Sequence, residues 1–212
     1  MELKETALNS WKLVYDGFKP DDEGLREALY TLGNGYFATR GAAAEAESDA
    51  VHYPGTYLAG GYNRLKTEIA GRTVENEDLV NFPNGLLLKF SVSEGNWFDP
   101  DNSNLLCYRQ ELDMYRGILV RTLRFRDGEN RITKLRELRF VHMDCPHLAG
   151  IIATLTAENW SGGMRILSAV DGTVLNHGVK RYRMGGREKL EIALESSESP
   201  GREISPTARG EN

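Results

Sequence analysis

The sequence predicts an all-β fold, a sandwich or a barrel, and three observations carry that expectation. Short runs rich in Val, Ile, Leu, Phe, Tyr and Thr recur along the 212 residues, each bounded by turn-forming residues. About a dozen such runs are present, too many for a small immunoglobulin-like module. Helical spacing occurs in a single stretch.

Taken in order, the first candidate strand covers residues 13–15. In the helical stretch, Pro20, Asp21, Asp22 and Glu23 place acids at a first turn, where the helix dipole favours them. Leu25, Ala28, Leu29 and Leu32 follow at helical spacing. Strands are then expected at 36–39, 56–62, 64–69, 86–92, 105–113, 118–126, 131–142, 148–157, 165–170, 180–184 and 190–194. Asp127-Gly128 separates two of the longest and offers the positive φ of a tight or bulged hairpin. Asp171-Gly172, Ser161-Gly162-Gly163 and Gly185-Gly186 can serve similar turns. The segment 148–157, LAGIIATLTA, is almost wholly apolar, as a central strand covered on both faces would be. Residues 1–195 thus read as one β domain, and the polar tail 196–212, with two prolines, is expected to be loosely ordered.

Composition narrows the partners. Hydrophobic residues make up 40% of the chain and charged residues 27%, an ordinary globular balance that supports a sizeable core. The 26 basic and 31 acidic side chains give a formal charge of -5, which offers no general attraction to phosphate backbones or anionic lipid. Neither nucleic acid nor a membrane is an expected partner. No run approaches the roughly 18 apolar residues of a spanning helix. The first residues, MELKETALNSWKLVYDGF, carry acids where a signal peptide is basic. Two cysteines, Cys107 and Cys145, are too few for a disulfide framework and read as buried thiols of a reducing compartment, so the expected location is the cytoplasm. The Asn159-Trp160-Ser161 glycosylation pattern has no meaning there.

Four constellations invite a chemical reading. Glu75, Glu77 and Asp78 offer carboxyl groups of the kind that cleave glycosidic bonds. With no apolar pocket nearby to raise one pKa, they fit a solvated turn or edge better. The run His142-Met143-Asp144-Cys145-Pro146-His147 holds four potential zinc ligands, but in one compact stretch with a proline, which suits a metal-free connection between strands. Gly33-Asn34-Gly35 followed by Arg40-Gly41 is not a dinucleotide loop, because β-prone Tyr36 and Phe37 follow instead of a helix. The aromatic run from Tyr53 to Arg64 can stack on sugar faces and bond hydroxyls, and Tyr57, Tyr62, Asn63 and Arg64 are its candidate substrate-binding residues. On a regular strand Tyr57 and Tyr62 would face opposite ways. No cofactor motif is present.

Together, several segments resemble a known family. Gly-Asn-Gly-Tyr-Phe-Ala-Thr-Arg-Gly at 33–41, Gly-Thr-Tyr-Leu-Ala-Gly at 55–60 and Val-Glu-Asn-Glu-Asp-Leu-Val-Asn-Phe-Pro-Asn at 74–84 are similar to the amino-terminal domain of glycoside hydrolase family 65. Leu112-Asp113-Met114 with Gly117, Arg139-Phe140-Val141, His147-Leu148-Ala149, Asn159-Trp160-Ser161-Gly162, Asp171-Gly172 and Gly178-Val179 follow in that family's order. The resemblance covers about residues 10–195. Gly85 departs from it, standing where the family pattern has Trp, and the residues after Glu195 do not resemble the family's helical linker.

The family contains maltose, trehalose and kojibiose phosphorylases and α-glucoside hydrolases. Membership implies a large antiparallel β-supersandwich of the galactose mutarotase-like kind, packed against an α/α-barrel catalytic domain of the same enzyme. The catalytic glutamate and phosphate loop would lie in that barrel, so no catalytic residue is expected in this chain. The implied function is that of a noncatalytic N-terminal domain shaping the barrel entrance, with α-glucoside disaccharide and phosphate as partners of the full enzyme. The 53–64 face, with its tyrosines, proline and arginine, is the expected barrel-docking surface, and with the barrel absent it is expected to self-associate, most simply as a homodimer. Two other readings are a standalone, weak carbohydrate-binding domain and a mutarotase-like epimerase using one of His52, His142, His147 or His177 as base.

Overall fold

The computed structural model describes residues 11–174 and 190–194. Its fold is all-β, with antiparallel sheets and one short helix near the amino terminus. Strand β1 (Lys12–Asp16) leads into a 3-10 turn at Pro20–Asp22 and helix α1 (Glu23–Leu29). Strands β2 (Leu32–Gly33), β3 (Phe37–Thr39) and β4 (Thr56–Leu58) form a small sheet. Strands β5 (Tyr62–Ile69) and β6 (Arg72–Leu79) form a separate hairpin. The main sheet, in the order β1-β8-β9-β10-β11, uses β8 (Asn104–Asp113), β9 (Ile118–Arg126), β10 (Ile132–Val141) and β11 (Ala149–Ala157). A three-stranded sheet, β13-β12-β7, joins β7 (Asn84–Val92), β12 (Met164–Asp171) and β13 (Leu190–Leu194).

Period-two burial on β9 and β10 sets the inner face: Leu119, Arg121, Leu123 and Phe125 alternate with exposed or half-buried neighbours, as do Thr133, Leu135, Glu137, Arg139 and Val141. Register puts Leu123 beside both Leu135 and Tyr108. Phe90, Val92 and Phe98 close over them, giving a core of Phe90, Val92, Phe98, Tyr108, Leu123, Phe125 and Leu135. Each such side chain contributes about 1.5–3 kcal/mol when fully buried. A second cluster, Tyr30, Leu32, Leu112, Leu119 and Val141, seats the end of α1 on the sheet.

Several expectations need correction. The run at 56–62 is not one strand, because Gly60 adopts φ 80° and turns the chain between β4 and β5. Strands β2 and β6 were not foreseen. The residues of β6, RTVENEDL, have little β propensity and pair because Ala70 (φ 51°) and Gly71 (φ 73°) make a two-residue turn of matching twist. In the hairpin after β9, Asn130 (φ 61°) takes the left-handed conformation instead of Gly128. Segment 148–157 is not a covered central strand: β11 is outermost in its sheet among the described strands, and Ile152 is 57% exposed. Its composition is apolar on both faces, but alternation cannot say whether the outward face has a neighbour. Cys107 and Cys145 are exposed, the first beside a register shift in β8 and the second in a turn. The expected strand at 180–184 and the tail at 196–212 lie outside the described residues.

Candidate functional site

Charged side chains occupy interior positions of the main sheet. Arg121 stands in phase with Leu119 and Leu123 and is paired in register with Glu137 on β10. Its Nη1 donates to Glu45 Oε1 at 2.7 Å and its Nη2 to Glu137 Oε2 at 2.8 Å. Arg139 Nη2 donates to the other Glu137 oxygen at 2.7 Å, and Arg139 Nη1 reaches the Arg40 carbonyl at 3.4 Å. Burial pushes the Glu137 carboxyl up, but Arg121 and Arg139 outweigh it and hold it below its ordinary value. The charges are therefore compensated where they lie, as buried ions must be.

Helix α1 extends this network with its polar side. Glu23, Arg26 and Glu27 are buried, whereas Leu25 and Leu29 are exposed. Arg26 Nη1 donates to Glu23 Oε1 at 3.0 Å and to the Gly17 carbonyl at 2.9 Å. Glu27 bonds His52 Nδ1 through Oε1 at 2.8 Å and accepts the Tyr53 amide through Oε2 at 2.7 Å. The hydrogen bond to Glu27 lifts the His52 pKa to about 9. Burial raises the Glu23 carboxyl, with Arg26 opposing. A cavity of about 470 Å³ opens onto this cluster, lined by Glu23, Glu45, His52, Lys89, Asp49 and Asp101 among others. Its deepest acids are already bonded: Glu45 to Arg121 and Glu23 to Arg26.

The sequence-predicted residues are divided among three places. Tyr57 is half-buried on β4, where burial and a hydrogen bond with Tyr53 raise its phenol pKa, and Arg40 lies over the Tyr53 ring at 5.0 Å. Tyr62 is 53% exposed on β5 and shares a face with Arg64. Asn63 points to the other face, opposite Asp78. Arg64 pairs across the hairpin with Glu77 at 2.9 Å and Glu75 at 3.8 Å, so those acids form solvated ion pairs. In the His142–His147 run, His142 Nδ1 accepts the amides of Asp144 (3.1 Å) and Cys145 (2.9 Å), and His147 meets the Tyr36 ring edge-on at 4.5 Å. Asn34 braces that turn, donating to the carbonyls of His142 and Pro146. Among the described residues no group of three or more His, Cys, Asp or Glu is placed to hold a metal ion.

Sequence reasoning missed the Arg121–Glu45–Glu137 and His52–Glu27 pairs. The one available signal was the phase of Arg121, Glu137 and Arg139 with the leucines and valine around them.

The model of the glycosyl hydrolase family 65 N-terminal domain matches residues 13–205. An uncharacterized glycosyl hydrolase of Mycobacterium tuberculosis is 47% identical over 183 residues, which cover 86% of this chain and 14% of that protein. Trehalose 6-phosphate phosphorylase of Lactococcus lactis is 34% identical over 86% of this chain and 23% of its own length. Kojibiose phosphorylase of Thermoanaerobacter brockii is 29% identical over the same shares. A solved structure of a candidate kojibiose phosphorylase from the human microbiome superposes with a TM-score of 0.72 at 21% identity, over 87% of this chain and 26% of that one, which shows a shared fold. The chain thus spans less than a quarter of the length of these curated relatives. It belongs to glycosyl hydrolase family 65, as that family's N-terminal domain.

Proposed function

We propose that this chain is the noncatalytic part of an α-glucoside phosphorylase or hydrolase, packing against an α/α-barrel catalytic domain and shaping the entrance to its active site. The state of the buried carboxylates carries the reading. Glycoside cleavage needs two carboxyl groups free to exchange a proton with the sugar and to attack it or activate water. Here Glu45 and Glu137 give their oxygens to Arg121 and Arg139, and Glu27 gives both of its own to His52 and the Tyr53 amide. The names of the relatives support α-linked glucose disaccharides and phosphate as substrates of the complete enzyme. Two exposed, unpaired thiols suit a reducing, cytoplasmic location. The purified chain should release neither glucose nor glucose phosphate from maltose, trehalose or kojibiose. Turnover abolished by Glu23→Gln or Glu77→Gln would overturn the proposal.

The surfaces offered to a barrel or to a second copy are the outward apolar residues of α1, Leu25 and Leu29, and the hairpin pair Tyr62 and Leu79. A homodimer through the hairpin predicts concentration-dependent association in sedimentation equilibrium, weakened by Tyr62→Ser. A monomer at every concentration removes that contact.

A second reading places weak sugar binding on the same hairpin, where exposed Tyr62 shares a face with Arg64, although Asn63 is on the other face and Tyr57 is half-buried on β4. Flat calorimetric traces at millimolar maltose would end it. The epimerase reading needs a neutral imidazole base, which fits poorly with a His52 held cationic by Glu27 and a His142 whose Nδ1 caps a turn. Unchanged mutarotation of fresh glucose in polarimetry would remove it.

A further inference from the structure

We propose that the paired cavities beside Trp97, which no residue of β5 or β6 lines, form a binding site for a neutral oligosaccharide. The larger cavity is about 700 Å³ and the smaller about 470 Å³, and they share a wall made of Trp97, Phe98 and Asp99. Small-molecule sites occupy roughly 300–1,000 Å³. Phe98 turns inward, 4.9 Å from Phe90 and 4.6 Å from Phe125 between ring centroids. Its neighbour Trp97 is consequently turned out and is 39% exposed.

The indole is also held in place. The Arg165 guanidinium lies 5.2 Å from its ring centroid, and that guanidinium is fixed by Nε to Ser91 Oγ at 3.0 Å and Nη2 to the Gly95 carbonyl at 2.6 Å. An aromatic plane oriented in advance loses little side-chain entropy on binding. The apolar C–H face of a pyranose ring is its natural complement.

The polar lining fits hydroxyl groups. Asn96, Asn104 and Asn130 border the larger cavity, and their side-chain amides make no hydrogen bond to the described residues. Each amide offers a donor and an acceptor, the combination that vicinal hydroxyls require. The acids beside them are occupied: Asp99 accepts the Asp101 amide at 2.9 Å and Asn102 Nδ2 at 2.6 Å, and Asp127 holds Arg131 Nε at 2.6 Å. Asp99, Asp127 and Glu129 against Arg126 and Arg131 leave the lining without a positive surplus, so a phosphorylated sugar gains nothing here. None of Tyr57, Tyr62, Asn63 and Arg64 lines either cavity.

Saturation-transfer NMR titration of the full chain with maltose, kojibiose and trehalose 6-phosphate tests the site. Saturable, millimolar binding of maltose and kojibiose is expected, with no tighter binding of the phosphorylated sugar. Trp97→Ala should weaken binding by about tenfold, Asn104→Ala should weaken it several-fold, and Tyr62→Ser should leave it unchanged. Circular dichroism confirms folding of each variant, and if Trp97→Ala unfolds, Asn104→Ala and Asn130→Ala decide. Absence of saturable transfer, full binding in the folded Trp97 and Asn104 variants, or loss on Tyr62→Ser would each overturn the proposal. The last outcome would move the sugar to the hairpin.

Discussion

His52 is cationic at neutral pH because its hydrogen bond to Glu27 outweighs burial and lifts its pKa from 6.5 to about 9. The folded state therefore holds the proton more tightly than the unfolded one. The resulting stabilisation, roughly 3 kcal/mol, is complete below the unfolded pKa and is lost as pH rises through the folded pKa. Urea midpoints measured between about pH 6 and about pH 10 should fall for the wild type and lose most of that fall in His52→Gln; equal slopes would refute the assignment. Arg121 acts without titrating. Arg121→Ala leaves Glu45 and Glu137 buried without their shared cation and should cost about 3–5 kcal/mol in chemical denaturation. Replacing Arg121, Glu45, Glu137 and Arg139 together by apolar residues of similar volume, so that no buried charge is left unpaired, should recover most of that loss. Neither pair was legible as a pair. Glu45 and Arg121 are 76 residues apart in the chain, and only the register of β9 and β10 joins Arg121 to Glu137.

Whole elements were easier to read than their surroundings. The proline and acids of the first turn located α1, and β-prone runs bounded by turn residues located β7 to β12 to within about two residues of their ends, the usual tolerance of such boundaries. Which side of α1 packs inward was not legible, because its buried side is polar and is satisfied by partners from the 17–53 region. Strand β6 carries little signal of its own in the sequence, because its pairing comes from the turn before it. The last glycine of the 33–41 motif has a spatial reason: a Cβ on Gly41 would stand 2.4 Å from Tyr30 Cβ and 2.9 Å from the Tyr30 carbonyl oxygen, and Tyr30 is fully buried. Gly41→Ala should thus destabilise by about 1–3 kcal/mol or more. Gly128→Ala, with nothing within 4 Å of the new methyl, should stay within about 0.5 kcal/mol. Thermal melts of the two variants side by side check the contrast, and similar losses would mean that the Tyr30 contact relaxes freely.

At the scale of the molecule, the fold class and the family were legible, since turn residues, strand patterning and motif order are all local properties of the chain. The motif residues prove largely architectural: Asn34 ties a distant turn, and Asn81 accepts the Thr56 amide at 2.8 Å. The candidate sites were less legible because they are assembled from segments far apart in the chain. One property of the interior reaches beyond the sites. Where a β-sandwich ordinarily buries hydrocarbon, this one buries Arg121, Glu45, Glu137 and Arg139 beside its leucines. Unfolding hydrates those ions as well as the apolar surface, and the two hydrations move heat capacity in opposite directions. The protein should therefore unfold with a heat-capacity increment per residue below the usual 12–15 cal/mol/K, roughly. The cost of desolvating charge also shrinks on warming. Scanning calorimetry across a range of pH values should accordingly trace a broad, shallow stability curve, in which the buried ions carry a growing share of the fold's resistance to heat.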